Sequence, residues 1–141
     1  MSEVIIKQDA YEKLLKLAKE YAPRIVCGFL VGKIEGDMIY VNEVREVKTR
    51  CGPRIHFQPV FKYFRQVSEE IDREGKKIVG EFHTHPSGKT EPTRRDRVIM
   101  KWLKNGFWII ATENEILPIT FKFEEFRKRI NRIPYKIISS L

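Results

Sequence analysis

A mixed α/β domain is predicted by three features of the sequence: short apolar strand-like runs recur along the chain, amphipathic segments of helical period lie between them, and no internal repeat, linker or low-complexity stretch breaks the alternation. The chain has 141 residues, 42% hydrophobic and 33% charged. That is the length of one domain, residues 1–141, and a fold of this size buries roughly two-thirds of the surface its unfolded chain exposes. Disorder is excluded on that ground. The order of the strands is not readable from the alternation.

The elements follow from local chemistry. After the apolar stretch Val4–Ile6, Asp9 with Glu12 three residues on has the form of a capping box. Tyr11, Leu14, Leu15, Ala18 and Tyr21 then share a helical face, which Pro23 closes. "IVCGFLVG" is expected as a buried strand, "KIEGD" as a turn and "MIYVNEVREV" as its hairpin partner. Residues 48–58 carry Gly52 and Pro53 and predict a loop. Pro59 stands where a second helix would begin, with Val60, Phe64, Val67 and Ile71 on one face and Gly75 just past its end. "KIVGEFHTH" is the next strand and "PSGKTEP" the next loop. Thr93 opens a third helix, expected to bury Val98, Ile99, Trp102 and Leu103 and to stop near Asn105 and Gly106. "FWIIAT" and "ILPITFKF" form a strand pair across "ENE", with Pro118 expected to bend the second strand or place it at an edge. "EEFRKRI" is expected as a short last helix before Pro134.

Charge and cysteine content narrow the function. The net charge is +8 and the pI near 9.6. The excess lies in "GKTEPTRRDR" and "FKFEEFRKRINRIPYK", where acids are interspersed and no aromatic-glycine signature occurs. A solvated helix face therefore outranks a nucleic-acid surface, and an acidic protein partner suits the balance. Two cysteines without a CxxC exclude both a disulfide framework and a zinc ribbon. Cys27 is expected to be buried and inert, while Cys51 lies in a loop and its role is open. No run of about 18 apolar residues occurs, which leaves no membrane-spanning helix. The opening "MSEVIIKQDA" lacks the charged and apolar regions of a secretion signal, so a cytoplasmic location is expected.

The segment "GEFHTHPSGKTEPTRRD" carries the chemistry. Side chains alternate along a strand, so His83 and His85 point to one face with Cα atoms about 6.6 Å apart, close enough to share a metal. Asp96, in the first turn of the following helix, can return to meet them. Such a His-His-Asp set leaves a fourth tetrahedral position for water, the mark of a catalytic zinc, and zinc would bring that water's pKa towards ~7. Paired histidines are common on exposed strands, and Thr93 with Asp96 is also an ordinary capping pattern. A cytidine deaminase would need His-x-Glu and a later Pro-Cys-x-x-Cys, and a His-x-His amidohydrolase barrel needs about 250 residues. His56 reads as structural, and Trp102 and Trp108 as core.

Taken together, His83-Thr84-His85-Pro86, six residues, Thr93, two residues and Asp96 resemble the JAMM (MPN+) motif of the JAB/MPN family, with threonine in the serine position. "CGFLVG" resembles the family's Gly-x-Leu-x-Gly strand, and "IVGEFHTHP" the histidine strand of its prokaryotic members. The likeness runs from about Tyr11 to Ile119. It implies a cytidine-deaminase-like mixed β-sheet flanked by helices, with Zn2+ held by His83, His85 and Asp96. It implies a metallopeptidase or isopeptidase acting on ubiquitin-like protein conjugates, in which the Thr93 hydroxyl helps to hold the oxyanion.

One position departs from the pattern. Active members of the family carry a glutamate three residues before the glycine of the "CG" pair, and that position here is Ile25. A positioned general acid/base supplies about 10²–10⁴ in rate. The alternative is therefore a catalytically weak or silent MPN-like module that keeps zinc and binds a partner. Glu81, two residues before His83 on the same face, is the first candidate to replace the missing carboxylate. Glu91 is the second. Substrate identity and oligomeric state are not legible.

Overall fold

The computed structural model describes residues 2–47, 61–103, 105–124 and 127–139. Cys51, His56, the predicted 48–58 loop and the Pro59 helix start lie outside them, as does the Trp102 side chain. Among the described residues, eight strands form one mixed sheet. Its elements in chain order are β1 (Glu3–Lys7), α1 (Gln8–Tyr21), β2 (Cys27–Glu35), β3 (Met38–Val47), α2 (Phe61–Arg73), β4 (Lys77–Thr84), α3 (Arg94–Leu103), β5 (Asn105–Ala111), β6 (Ile116–Glu124), β7 (Arg127–Arg132) and β8 (Tyr135–Ile138). The strand order is β7-β6-β5-β4-β2-β3-β1-β8. Parallel pairs are β1/β3, β1/β8 and β4/β5, and the remaining neighbours are antiparallel. The mixed α/β expectation therefore holds.

Alternation along the strands sorts the core into two faces. On one, Leu30, Phe82, Ile109 and Ala111 pack with Ala10, Leu14 and Leu17 of α1. On the other, Phe29 and Val31 meet Ile71, Phe64 and Val67 of α2, while Trp108, Ile110, Leu117, Ile119 and Phe121 meet Met100 of α3. The helices thus cover both faces, α1 on one side and α2 with α3 on the other.

The β2/β3 hairpin forms as expected, but its turn is tighter: Lys33, Ile34 and Glu35 stay in the ladder, and only Gly36 and Asp37 turn. Gly28 and Gly32 are required by close approach of the two backbones. A Cβ at Gly28 would lie 1.9 Å from the Arg45 carbonyl oxygen, and one at Gly32 1.8 Å from that of Tyr40. Gly75, after α2, has φ +73°, which ends the helix without strain.

Four expectations are corrected. Helix α1 begins at Gln8 with Lys7 as its N-cap and no side-chain cap, so the Asp9/Glu12 capping box does not form; β1 runs directly into the helix and leaves Asp9 in its first turn. In α3 the phase differs: Val98 and Leu103 are 52% and 48% exposed, while Asp96 and Met100 face inward. The helix ends at Leu103, and Asn105 and Gly106 already belong to β5. Strand β6 is internal, because Pro118 lies beyond the last β7 partner pair of Ile119 with Arg132, and its carbonyl accepts the Ile133 N–H. Finally, the expected last helix is strand β7, followed by the unforeseen β8. The open edge of β6 offers a complete ladder, which outweighs local helix propensity. Among the described residues no helix is long and apolar enough to cross a membrane.

Candidate metal centre

The centre stands at the carboxyl end of β4, where that strand runs parallel to β5. His83 is registered with Ile110 and Thr84 with Ala111, and the His85 N–H continues the ladder to the Ala111 carbonyl. Pro86 then turns the chain away, and the loop returns to α3. Thr93 and Asp96 begin this helix as a reciprocal capping box: Thr93 N–H donates to Asp96 Oδ2 at 2.9 Å, and Asp96 N–H donates to Thr93 Oγ1 at 3.1 Å. The capping reading of Asp96 is realised, and the same carboxylate meets both imidazoles. The box aims the carboxylate inward.

His83, His85 and Asp96 are all buried, Asp96 to 2% exposure. Their ligand atoms lie within 4.8 Å of one another. His83 Nε2 is 3.0 Å from Asp96 Oδ1, His85 Nε2 is 2.9 Å from Asp96 Oδ2, and the two Nε2 atoms are 3.1 Å apart. His85 Nδ1 lies 2.8 Å from the Lys89 carbonyl oxygen, to which it donates. In neutral His85 this turns the Nε2 lone pair towards the carboxylate and the other imidazole. Two imidazoles and one carboxylate that converge at such distances in a buried place form a donor set that suits zinc. The residues present therefore fit the metal. Burial pushes the Asp96 carboxyl up, but the imidazoles of His83 and His85 and the Thr93 N–H hold it well below the usual carboxylate range.

The next groups outward are fixed by the same strands. Glu81 lies on the His83 face, registered with Trp108. Burial raises its carboxyl, while a hydrogen bond from the Trp108 side chain lowers it; burial prevails. The Trp108 ring stands edge-on to His83, with centroids 5.2 Å apart. Trp108 is core, as expected, and also joins Glu81 to a ligand, a link that spacing along one strand does not reveal. Glu91 is not drawn to the centre; it is exposed and pairs with Arg132. Cys27 is buried and registered with His83. The adjoining pair is closed by Thr84 N–H donating to the Val26 carbonyl and Val26 N–H donating to Thr84 Oγ1, each at 3.0 Å. In the continuation of that register Ile25, 3% exposed, stands opposite His85.

Comparison with known proteins places this geometry in context. The family described as "Prokaryotic homologs of the JAB domain" matches residues 7–124. A protein of Pyrococcus furiosus named desampylase is 31% identical over 136 residues, covering 87% of this chain and 92% of its own length. A desampylase of Haloferax volcanii is 26% identical, covering 90% of this chain and 94% of its own. A protein of Vibrio cholerae named CD-NTase/cGAS isopeptidase is also 26% identical, covering 88% and 87%. The solution structure of a protein from Desulfitobacterium hafniense shares the fold with a TM-score of 0.82 at 18% identity, covering 98% of this chain and 94% of its own.

Proposed function

The chain belongs to the family of prokaryotic homologs of the JAB domain, and from that premise we propose that it is a zinc-dependent JAMM-type metallopeptidase that hydrolyses an isopeptide or peptide bond in a ubiquitin-like protein conjugate. The observation that carries the reading is the convergence of buried His83, His85 and Asp96 ligand atoms on one point. The relatives named desampylase and isopeptidase support a protein conjugate as substrate.

His83, His85 and Asp96 would hold the metal. When bound, zinc supplies a Lewis acid and brings the pKa of its water towards ~7. The Lys89 carbonyl orients His85, and Thr93 both aims Asp96 and retains its own hydroxyl proton. That proton is available to hydrogen-bond the oxyanion that develops on the substrate carbonyl. In its ionised form Glu81, whose carboxylate burial makes a stronger base, would take a proton from the attacking water and, once protonated, pass it to the leaving amine. Glu81→Gln is expected to lower kcat roughly 10²–10⁴-fold while zinc remains bound.

A second reading is favoured by one observation, the buried isoleucine at position 25, where the JAMM motif that the chain resembles has a glutamate. In it the zinc site is kept and the protein binds a partner without cleaving it. The deciding experiment is hydrolysis of a ubiquitin-like conjugate by zinc-loaded protein beside His83→Ala and Ile25→Glu. Cleavage by the unmodified chain that His83→Ala abolishes supports the peptidase. Cleavage by Ile25→Glu alone supports the binding module.

A further inference from the structure

A groove of about 310 Å³ opens beside the loop that precedes α3, lined by Glu91, Arg97, Leu117, Ile119, Ile130 and Arg132. Its position follows from sheet register. His83 is registered with Ile110, Ile110 with Leu117, Trp108 with Ile119, and Ile119 with Arg132. Directly opposed residues point to the same face, so the groove floor and the metal ligand His83 share one face of the sheet. Leu117 is two strand spacings from His83, roughly 10 Å. An extended chain covers that distance in about three residues.

The lining is chemically selective. Leu117 and Ile119 are buried beneath the groove, and partly exposed Ile130 is the aliphatic side chain it presents. Arg97 and Arg132 stand over it, two guanidiniums against the single carboxylate of Glu91, which pairs with Arg132. The Arg97 guanidinium has no carboxylate partner among the described residues. Arg94 and Arg95, exposed at the start of the helix that carries Arg97, add positive charge to it. Fork-shaped cations beside a partly exposed aliphatic side chain fit a segment that carries both carboxylates and aliphatic residues, and among the described residues no aromatic side chain lines the groove for stacking bases. We propose that this groove docks an acidic, extended segment of the protein substrate, with carboxylates at Arg97 and Arg132 and an aliphatic side chain against Ile130. Naming the occupant as substrate rests on the isopeptidase reading; the groove's preference for an acidic chain does not.

The test is fluorescence anisotropy of a labelled decapeptide of alternating leucine and glutamate, titrated with the full chain at low salt. Binding is expected, with no binding of the matching leucine-lysine peptide. Arg97→Glu and Arg132→Glu should each weaken it roughly tenfold or more, and Arg97→Lys by much less. In zinc-loaded protein Arg97→Glu should raise KM for the conjugate roughly tenfold with kcat within about twofold. Unchanged affinity and KM in both charge reversals overturn the proposal. So does an oligothymidine of equal length that binds more tightly with the same arginine dependence, which makes the face a nucleic-acid surface. If no conjugate is cleaved while arginine-dependent peptide binding persists, the isopeptidase reading fails and the docking groove stands.

Discussion

Thr93 and Asp96 are each used twice. Thr93 accepts the Asp96 N–H and Asp96 accepts the Thr93 N–H, and the same carboxylate meets both histidines. The N-terminus of α3 is therefore part of the candidate metal centre. Removal of the cap should cost stability before it costs a ligand: Thr93→Ala is expected to lower the stability of the zinc-free protein by about 1 kcal/mol. That corresponds to a thermal midpoint about 3 °C lower, measurable by circular dichroism. Thr93→Ser should stay close to the parent protein. The convergence of His83, His85 and Asp96 was legible because the three lie close in sequence, on one strand and the next helix turn. The Trp108 contact with Glu81 and His83 was not, because it arises between strands β4 and β5.

At the scale of elements, β2 shows how residue choice sets register. Gly28 and Gly32 admit the β3 backbone at distances no side chain tolerates. Gly28→Ala should therefore push β2 from β3 and cost about 1–3 kcal/mol, read as a lower urea midpoint with an unchanged slope. The elements misread from sequence share one cause. Val98 and Leu103 are apolar at helical spacing, yet α3 is turned so that Asp96 reaches the histidines and Met100 fills the core. Likewise "RKRINR" becomes β7 because β6 presents an open edge. Periodicity locates an element; its phase and its partner come from neighbours distant in sequence.

Two predictions belong to the whole molecule. A metal that binds the folded centre and not the unfolded chain stabilises the entire domain, by about 2.7 kcal/mol at a free concentration one hundred times its Kd. Zinc should raise the thermal midpoint of the parent protein and leave that of His83→Ala unchanged, with a chelator reversing the shift. The second prediction concerns acid. Glu43 and Arg45 of β3 meet Glu74 and Lys76, which connect α2 to β4. Hydrogen bonds from Arg45 and Lys76 hold the Glu74 carboxyl at about 2, and Glu43 is lowered as well. Depressed carboxylates stabilise the fold above their unfolded value near 4.5, and this contribution is lost as pH falls towards 2. Urea midpoints at pH 7, 4 and 3 should converge for the parent protein and Arg45→Gln as the pH falls. Added salt should narrow the difference at pH 7, because most of these groups face solvent.

Local patterns by themselves determined that the chain is a mixed α/β domain, that Cys27 is buried, and that His83, His85 and Asp96 come together as a group able to hold a metal. Each follows from short-range periodicity, from residue chemistry or from spacing within fourteen residues of one strand–loop–helix unit. Only the tertiary structure decided the order of the eight strands, the replacement of the last helix by β7 and β8, the Trp108 bridge between Glu81 and His83, and the groove that shares the metal's face. These depend on which strands lie side by side, a choice made by burial of the whole core and invisible to any window of the sequence.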